Sequence, residues 1–294
     1  MRSSAASDVY KRQVIIDEVH YFMRDVRGVQ VLCLLERLQR LAGVVPRRIG
    51  LSATLGDLTV AQSWLNSGTG RSCAAPVCGA EKQKIRLLVQ RFQRADQTTP
   101  DGALDAGEAA HYEYLYRMTL DRKPILFTNS REETELVMAH LRQLALKNKT
   151  PDVYRVHHGN ISAVLREQAE DEMKSAQEKL VTGATVTLEL GIDIGSLDQV
   201  VQVGTPATVS SFAQRLGRCG RRGQIPQILF TFMDDVHTTA ADQLGPINWS
   251  FLRMIAIIEL YTKQKWVEPL TPGRYPYSML SVSYTHLRAH ETSA

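Results

Sequence analysis

The sequence predicts an α/β protein built on doubly wound parallel sheets. Three observations carry that expectation. Short runs rich in Val, Ile and Leu recur at Val14–Ile16, Ile125–Thr128, Leu180–Ala184, Val200–Val203 and Ile228–Phe232, which suits strands buried on both faces. Between them lie segments with apolar residues at three- and four-residue spacing, the stripe of a helix that covers a sheet. Several runs also end in acidic or small hydroxyl residues, where an open parallel sheet presents its ligand-binding edge.

In chain order, Val14-Ile15-Ile16 is a strand followed by Asp17-Glu18-Val19-His20. Val31, Leu34, Leu35, Leu38 and Leu41 then form one helical stripe, and Arg48–Leu51 leads into Ser52-Ala53-Thr54. Ile85–Phe92 closes this block as a further strand. Residues 94–110 contain one large apolar residue, Leu104, and read as a linker. A second block opens at Pro124. There Ser130-x-x-Glu133 has the form of a capping box starting a helix with Leu136, Val137, Leu141 and Leu144. Val153–His157 adds a strand, and helical patterns fall at 162–175 and 208–218. Trp249–Trp266 predicts one long apolar helix, ended by Pro269, Pro272 and Pro276. The partition is therefore 14–93 for the first block, 94–122 for a linker and connecting helix, 123–235 for the second block, and 236–280 for a C-terminal segment that holds the long helix.

Both ends read as foreign to this fold. Ser3–Gln13 resembles a translated sequencing adapter, and Ser281–Thr292 resembles the same adapter in another frame. Asp8–Gln13 and Val282–His286 can be encoded by opposite strands of one short DNA sequence. Residues 1–13 and 281–294 are set apart as adapter-like tails on that ground.

Composition excludes several classes. With 44% hydrophobic and 22% charged residues, the 294-residue chain is too apolar for disorder. It has no 18-residue apolar run, which argues against a membrane span. Cys33, Cys73, Cys78 and Cys219 include no C-x-x-C pair, which argues for reduced thiols in the cytoplasm rather than a zinc ribbon or disulfide scaffold. A net charge of only +4 means that any nucleic-acid site is a local groove, not the whole surface.

The polar strand ends carry the candidate chemistry. Asp17 and Glu18 suit Mg²⁺-nucleotide work, one carboxylate toward a hydrated metal and one toward an attacking water; alone, they equally suit the acidic start of a helix. Ser52-Ala53-Thr54 is ordinary turn chemistry by itself. In Gly191-Ile192-Asp193 the glycine permits close backbone approach, although a type II turn has the same composition. Arg218 and Arg221, in Gln214–Gly223, lie on one face if the helix continues and can clamp a phosphoryl group, with a solvated basic patch as the alternative. His157 and His158 point to opposite faces of a strand, which disfavours a shared metal.

In order and spacing, these segments resemble the helicase core of superfamily 2. DEVH at 17–20 is similar to motif II, SAT at 52–54 to motif III, ILFTNSR at 125–131 to motif IV, TLELGIDIG at 187–195 to motif V, and QRLGRCGRRG at 214–223 to motif VI. The wording ELGIDIG and the stretch AIIELYTKQKWVEPL at 256–270 resemble the large helicase-related (Lhr-type) branch. The resemblance implies two RecA-like domains that bracket ATP, with single-stranded or partly duplex DNA or RNA crossing both. It implies Asp17 as the Mg²⁺ residue, acting through water, and Glu18 as general base. Arg218 and Arg221 would be arginine fingers, while Gln214, Gly191 and Asp193 would face nucleotide. His20, Ser52 and Thr54 would couple hydrolysis to domain closure. Thr128, Arg131, His158, Gly159, Thr185 and Thr187 would line or support the strand track.

No G-x-x-x-x-G-K-[ST] phosphate loop occurs in the 294 residues, and the family carries that loop upstream of motif II. The expectation is a first RecA-like domain truncated at its N-terminus, the start of a winged-helix region near Tyr275–Ser278, and a segment inactive by itself. The alternative readings are a catalytically inactive RecA-like nucleic-acid-binding module and a CRISPR-associated or restriction-type helicase.

Overall fold

A computed structural model describes residues 13–24, 26–52, 54–76, 84–94, 104–157, 179–185, 197–220, 224–234 and 248–269. Both tails except Gln13, the helical pattern at 162–175, linker residues 95–103, and Pro272 and Pro276 lie outside the described residues. The chain divides into two compact units, one of residues 1–79 with 267–294 and one of residues 80–266.

In the first unit β1 (Gln13–Ile16) pairs in parallel with β2 (Arg47–Gly50), from Gln13 opposite Arg47 to Ile16 opposite Gly50. Gln13, the last residue of the adapter-like tail, thus extends β1 by one pair. Helices α1 (Val19–Arg24), α2 (Val26–Ala42) and α3 (Leu58–Asn66) surround the pair. Asp57 caps α3, its Oδ1 accepting from the Thr59 N–H at 2.8 Å. The core is Ile16, Val19, Met23, Leu35, Ala61 and Leu65. The α2 stripe is buried only in part, for Leu34 and Leu41 remain 58% and 77% exposed. A Cβ on Gly56 would stand 2.6 Å from the Val267 carbonyl oxygen, so the backbone at 267–268 passes against this unit where only glycine fits.

Among the described residues the second unit holds a six-stranded, wholly parallel sheet in the order β3-β8-β7-β4-β6-β5. Its strands are β3 (Arg86–Gln93), β4 (Pro124–Phe127), β5 (Tyr154–His157), β6 (Val181–Ala184), β7 (Gln199–Val203) and β8 (Gln227–Asp234). On one face, α4 (Ala106–Thr119) and α5 (Arg131–Lys147) bury Leu115, Tyr116, Val137, Met138 and Leu141 against Leu126, Val181, Val201 and Leu229. Full burial of each such side chain contributes roughly 1.5–3 kcal/mol. Gly183 admits α5 close to β6, since a Cβ there would lie 2.6 Å from Met138 Cγ. On the other face, the rings of Phe212, Phe230, Phe232, Phe251 and Tyr261 pack in series. Phe212 lies on α6 (Val209–Leu216) and Phe251 on α7 (Trp249–Glu259).

Three expectations are corrected. The strand at 85–92 was expected to close the first block, yet β3 is the edge strand of the second sheet, in register with β8 from Arg86–Gln227 to Gln93–Asp234. The Arg91 guanidinium pairs with the Asp234 carboxylate at 2.5 Å, and Phe92 meets the rings of His111 and Tyr114. The connecting helix of 94–122 is likewise part of this unit, because α4 covers its sheet. The long helix ends at Glu259 and continues as a π-turn over Leu260–Gln264, until Lys265 adopts φ 53°.

Candidate functional site

In the first unit the acidic segment and the hydroxyl segment come together at the carboxyl ends of β1 and β2. Backbone pairing outlasts the strands: Leu51 N–H donates to Ile16 O and Val19 N–H to Leu51 O, both at 2.9 Å. His20, 7% exposed, shares a 2.7 Å hydrogen bond between Nδ1 and Ser52 Oγ. Ser52 Oγ also accepts from the Thr54 N–H at 3.4 Å, and Thr54 is buried. Glu18 Oε2 stands 3.4 Å from the same His20 nitrogen. Glu18 has φ 49°, a left-handed conformation that costs a non-glycine residue about 1–2 kcal/mol. Its N–H donates to Asp17 Oδ1 at 3.0 Å, which helps to hold the bend. Asp17 is exposed beyond the strand end.

The second unit gathers its polar residues at the carboxyl ends of β4, β7 and β8. Thr128 is fully buried, which makes it a support and not a lining residue. Its Oγ1 donates to Ser130 O at 2.8 Å and meets Thr134 Oγ1 at 2.6 Å. Ser130 caps α5 by accepting from the Glu133 N–H at 3.1 Å. Glu133 reaches back to the Asn129 N–H at 2.9 Å, one residue earlier than a capping box requires. Arg131 then opens α5, exposed. Thr185 is buried at the end of β6. His158, Gly159, Thr187, Gly191, Asp193 and Arg221 lie outside the described residues, as does Ala53.

A cleft of about 560 Å³ opens in this unit, with Asn129, Ser130, Gly204, His111, Arg94 and Asn248 on its walls. Its position follows from topology. From β4 the chain runs to the edge strand β5, returns to β6 beside β4, and then crosses to β7 and β8 on the other side, so loops diverge between β4 and β7. Gly204, at φ 70°, bends the chain there, and a Cβ would sit 3.0 Å from Asn129 Nδ2. Three nearby carboxylates are engaged: Glu108 with Arg94 at 3.0 Å, Glu133 with Asn129, and Asp234 with Arg91 and Asn248. Beneath the cleft, burial lowers the His111 pKa to about 4, and its Nε2 bonds to Thr231 Oγ1 at 2.9 Å. Sequence reasoning missed this cleft. Gly204-Thr205-Pro206 after an apolar strand was the available signal.

Helix α6 carries Gln214 in its last turn, buried. The expectation that the helix runs to 218, with Arg218 and Arg221 on one helical face, is corrected. The helix ends at Leu216 with Gly217 as C-cap, and Gly220 follows at φ 75°. Arg218 is 9% exposed, and its N–H makes a turn-like bond to Arg215 O at 3.0 Å. Burial pushes the Cys219 thiol pKa up, which disfavours the thiolate.

Residues 109–223 match the helicase conserved C-terminal domain family. The chain is 36% identical over 219 residues to the ATP-dependent helicase Lhr-Core protein 2 of Thermococcus barophilus, covering 72% of this chain and 24% of that protein. It is 33% identical over 257 residues to the Lhr helicase/uracil glycosylase of Escherichia coli, covering 74% of this chain and 16% of that protein. Its fold superposes on the Mycobacterium smegmatis helicase Lhr bound to ssDNA and AMP-PNP with a TM-score of 0.72 and 28% identity, over 94% of this chain and 34% of that one. The chain thus spans a quarter or less of the length of these sequence relatives.

Proposed function

Because this chain belongs to the Lhr-type branch of the superfamily 2 helicases, we propose that it forms part of the motor of an ATP-dependent enzyme that moves along single-stranded DNA or RNA. The observation that carries the reading is the 2.7 Å bond between His20 and Ser52, which ties the acidic segment to the hydroxyl segment beside Asp17 and Glu18. Coupling of nucleotide chemistry to movement needs such a link, since a change at the carboxylates must reach another element.

The donor set at the end of β1 fits Mg²⁺. Asp17 and Glu18 offer hard oxygen atoms, and one or two carboxylates are what Mg²⁺ takes from a protein when phosphates complete its shell. Bound Mg²⁺-ATP supplies the phosphoryl group and neutralises charge on its oxygens. Asp17, exposed beyond the strand, would hold the metal, and Glu18 would accept a proton from the attacking water. Arg218 and Arg221 balance the charge that spreads over the transferring group. Gln214, Gly191 and Asp193 face the nucleotide. Thr128 and Thr185 support the strand track, with Arg131, His158, Gly159 and Thr187 lining it. The free Cys33, Cys73 and Cys219 suit a reducing, cytoplasmic setting.

The 294 residues alone do not turn over ATP, because a phosphate loop would have to supply the N–H cradle and lysine that hold the phosphates. The test is Arg221→Ala in the full-length enzyme, measured by phosphate release and by anisotropy on labelled single strands. Turnover falls on the order of 10³-fold while strand binding stays measurable. Unchanged turnover would refute the finger assignment, and lost binding with turnover intact would make Arg221 a backbone-phosphate contact.

A further inference from the structure

Arg215 is 1% exposed and heads the largest fully buried side chains among the described residues. It lies in the last turn of α6, one residue after Gln214 and three before Arg218. Its guanidinium carbon stands 4.7 Å from the centre of the Phe127 ring, at the end of β4. Its Nη1 donates to Gln202 Oε1, and Gln202 Nε2 donates in turn to Val203 O at 2.8 Å on β7. Gln202 is also fully buried. One side chain thus joins α6 to β4 and β7, the two strands between which the strand order reverses.

The segment after it lacks that definition by its own backbone. Gly217 ends the helix, Gly220 takes φ 75°, and Arg218 falls between these two glycines. Beyond Arg218, Cys219 is fixed: it is 3% exposed, bridges Leu197, and its thiol donates to Leu216 O and Gln227 O at 3.4 Å. Before Arg218, the comparable fixed point is Arg215. A planar cation can lie flat on a ring and donate in its own plane at the same time, which a lysine ammonium cannot do. We propose that Arg215 is a positioning residue, which holds Arg218 in place for phosphoryl transfer by clamping the end of α6 to Phe127 and Gln202. The proposal rests on the helicase reading above.

The test uses the full-length enzyme and three single variants: Arg215→Lys, Phe127→Leu and Gln202→Leu. Each is measured for strand-stimulated kcat, KM for ATP, single-strand Kd and thermal melting. Arg215→Lys lowers kcat about tenfold or more, with KM and Kd within about threefold of wild type. Phe127→Leu and Gln202→Leu lower kcat in the same direction by smaller factors, and they carry the test if Arg215→Lys fails to fold. A purely structural role predicts the opposite pattern, in which melting falls while kcat of the folded enzyme is kept, and that result overturns the proposal. Equal loss in kcat and strand binding overturns it as well. If wild type itself shows no strand-stimulated turnover, the helicase reading fails first.

Discussion

His20 Nδ1 and Ser52 Oγ, 2.7 Å apart, join two segments that the sequence separates by a helix and a strand. His20 is buried and Ser52 half-buried, and Glu18 Oε2 lies 3.4 Å from the same nitrogen. His20 Nδ1 is thus the point at which the hydroxyl of one segment and the carboxylate of the other meet. If the link couples chemistry to movement, its loss should separate the two. In the full-length enzyme, Ser52→Ala lowers duplex unwinding about tenfold more than it lowers phosphate release. Parallel unwinding and ATPase assays check this, and equal losses in both would remove Ser52 from the coupling path.

Acid should weaken the second unit through His111. Burial depresses its pKa from 6.5 to about 4, so the unfolded chain binds a proton that the folded chain refuses. The stability is fully present above pH 6.5 and is lost as pH falls toward 4, by at most about 3 kcal/mol. His111→Gln keeps a partner for Thr231 and has no titrating ring. Its urea midpoint should change less than that of wild type between pH 6.5 and 4.5. Parallel slopes would show that other groups carry the acid sensitivity.

The boundary of the second unit is open to proteolysis. Because β3 pairs along its whole length with β8 and α4 covers the sheet, the protected core begins near residue 84 and runs to about 266. Limited trypsin digestion with mass measurement should recover that core. A stable product starting after residue 94 would contradict the placement of β3.

Gly220 combines a left-handed backbone with no room for a side chain, since a Cβ would meet Pro226 Cγ at 2.4 Å. Gly220→Ala should destabilise the chain by about 2 kcal/mol or more in urea unfolding. A change within 0.5 kcal/mol, on the order of an ordinary surface substitution, would show that the turn relaxes freely.

Much of the fold was legible in the sequence, and the reasons for the misses are specific. The β4, β6 and β7 runs are short and buried throughout, as fully covered parallel strands are, although β6 includes Thr182 and β7 includes Gln199 and Gln202. Ser130 caps α5 where the hydroxyl was expected to start a helix. Edge strand β3 misled, because its pairing with β8 is long-range and nothing local in Ile85–Phe92 records it. The end of α6 misled too: helical spacing favoured continuation through 218, but Gly217 supplied the cap. In the candidate site, Asp17 and Glu18 were readable from their place just after a strand, whereas His20 and Ser52 joined them only through the motif resemblance, because His20 lies in α1 and Ser52 in an ordinary polar turn. Arg215 was not, since a buried arginine beside exposed-looking motif residues has no sequence mark. Its partners are a phenylalanine and a glutamine on distant strands.

The central claim, that these residues belong to a strand-dependent ATPase motor, is tested most directly by phosphate release from the full-length protein with and without single-stranded DNA or RNA, comparing wild type with Glu18→Gln. The account predicts turnover stimulated by the strand in wild type, loss of nearly all of it in Glu18→Gln, and none from the 294-residue chain alone. Stimulated turnover that survives Glu18→Gln, or that the 294-residue chain shows by itself, would contradict it.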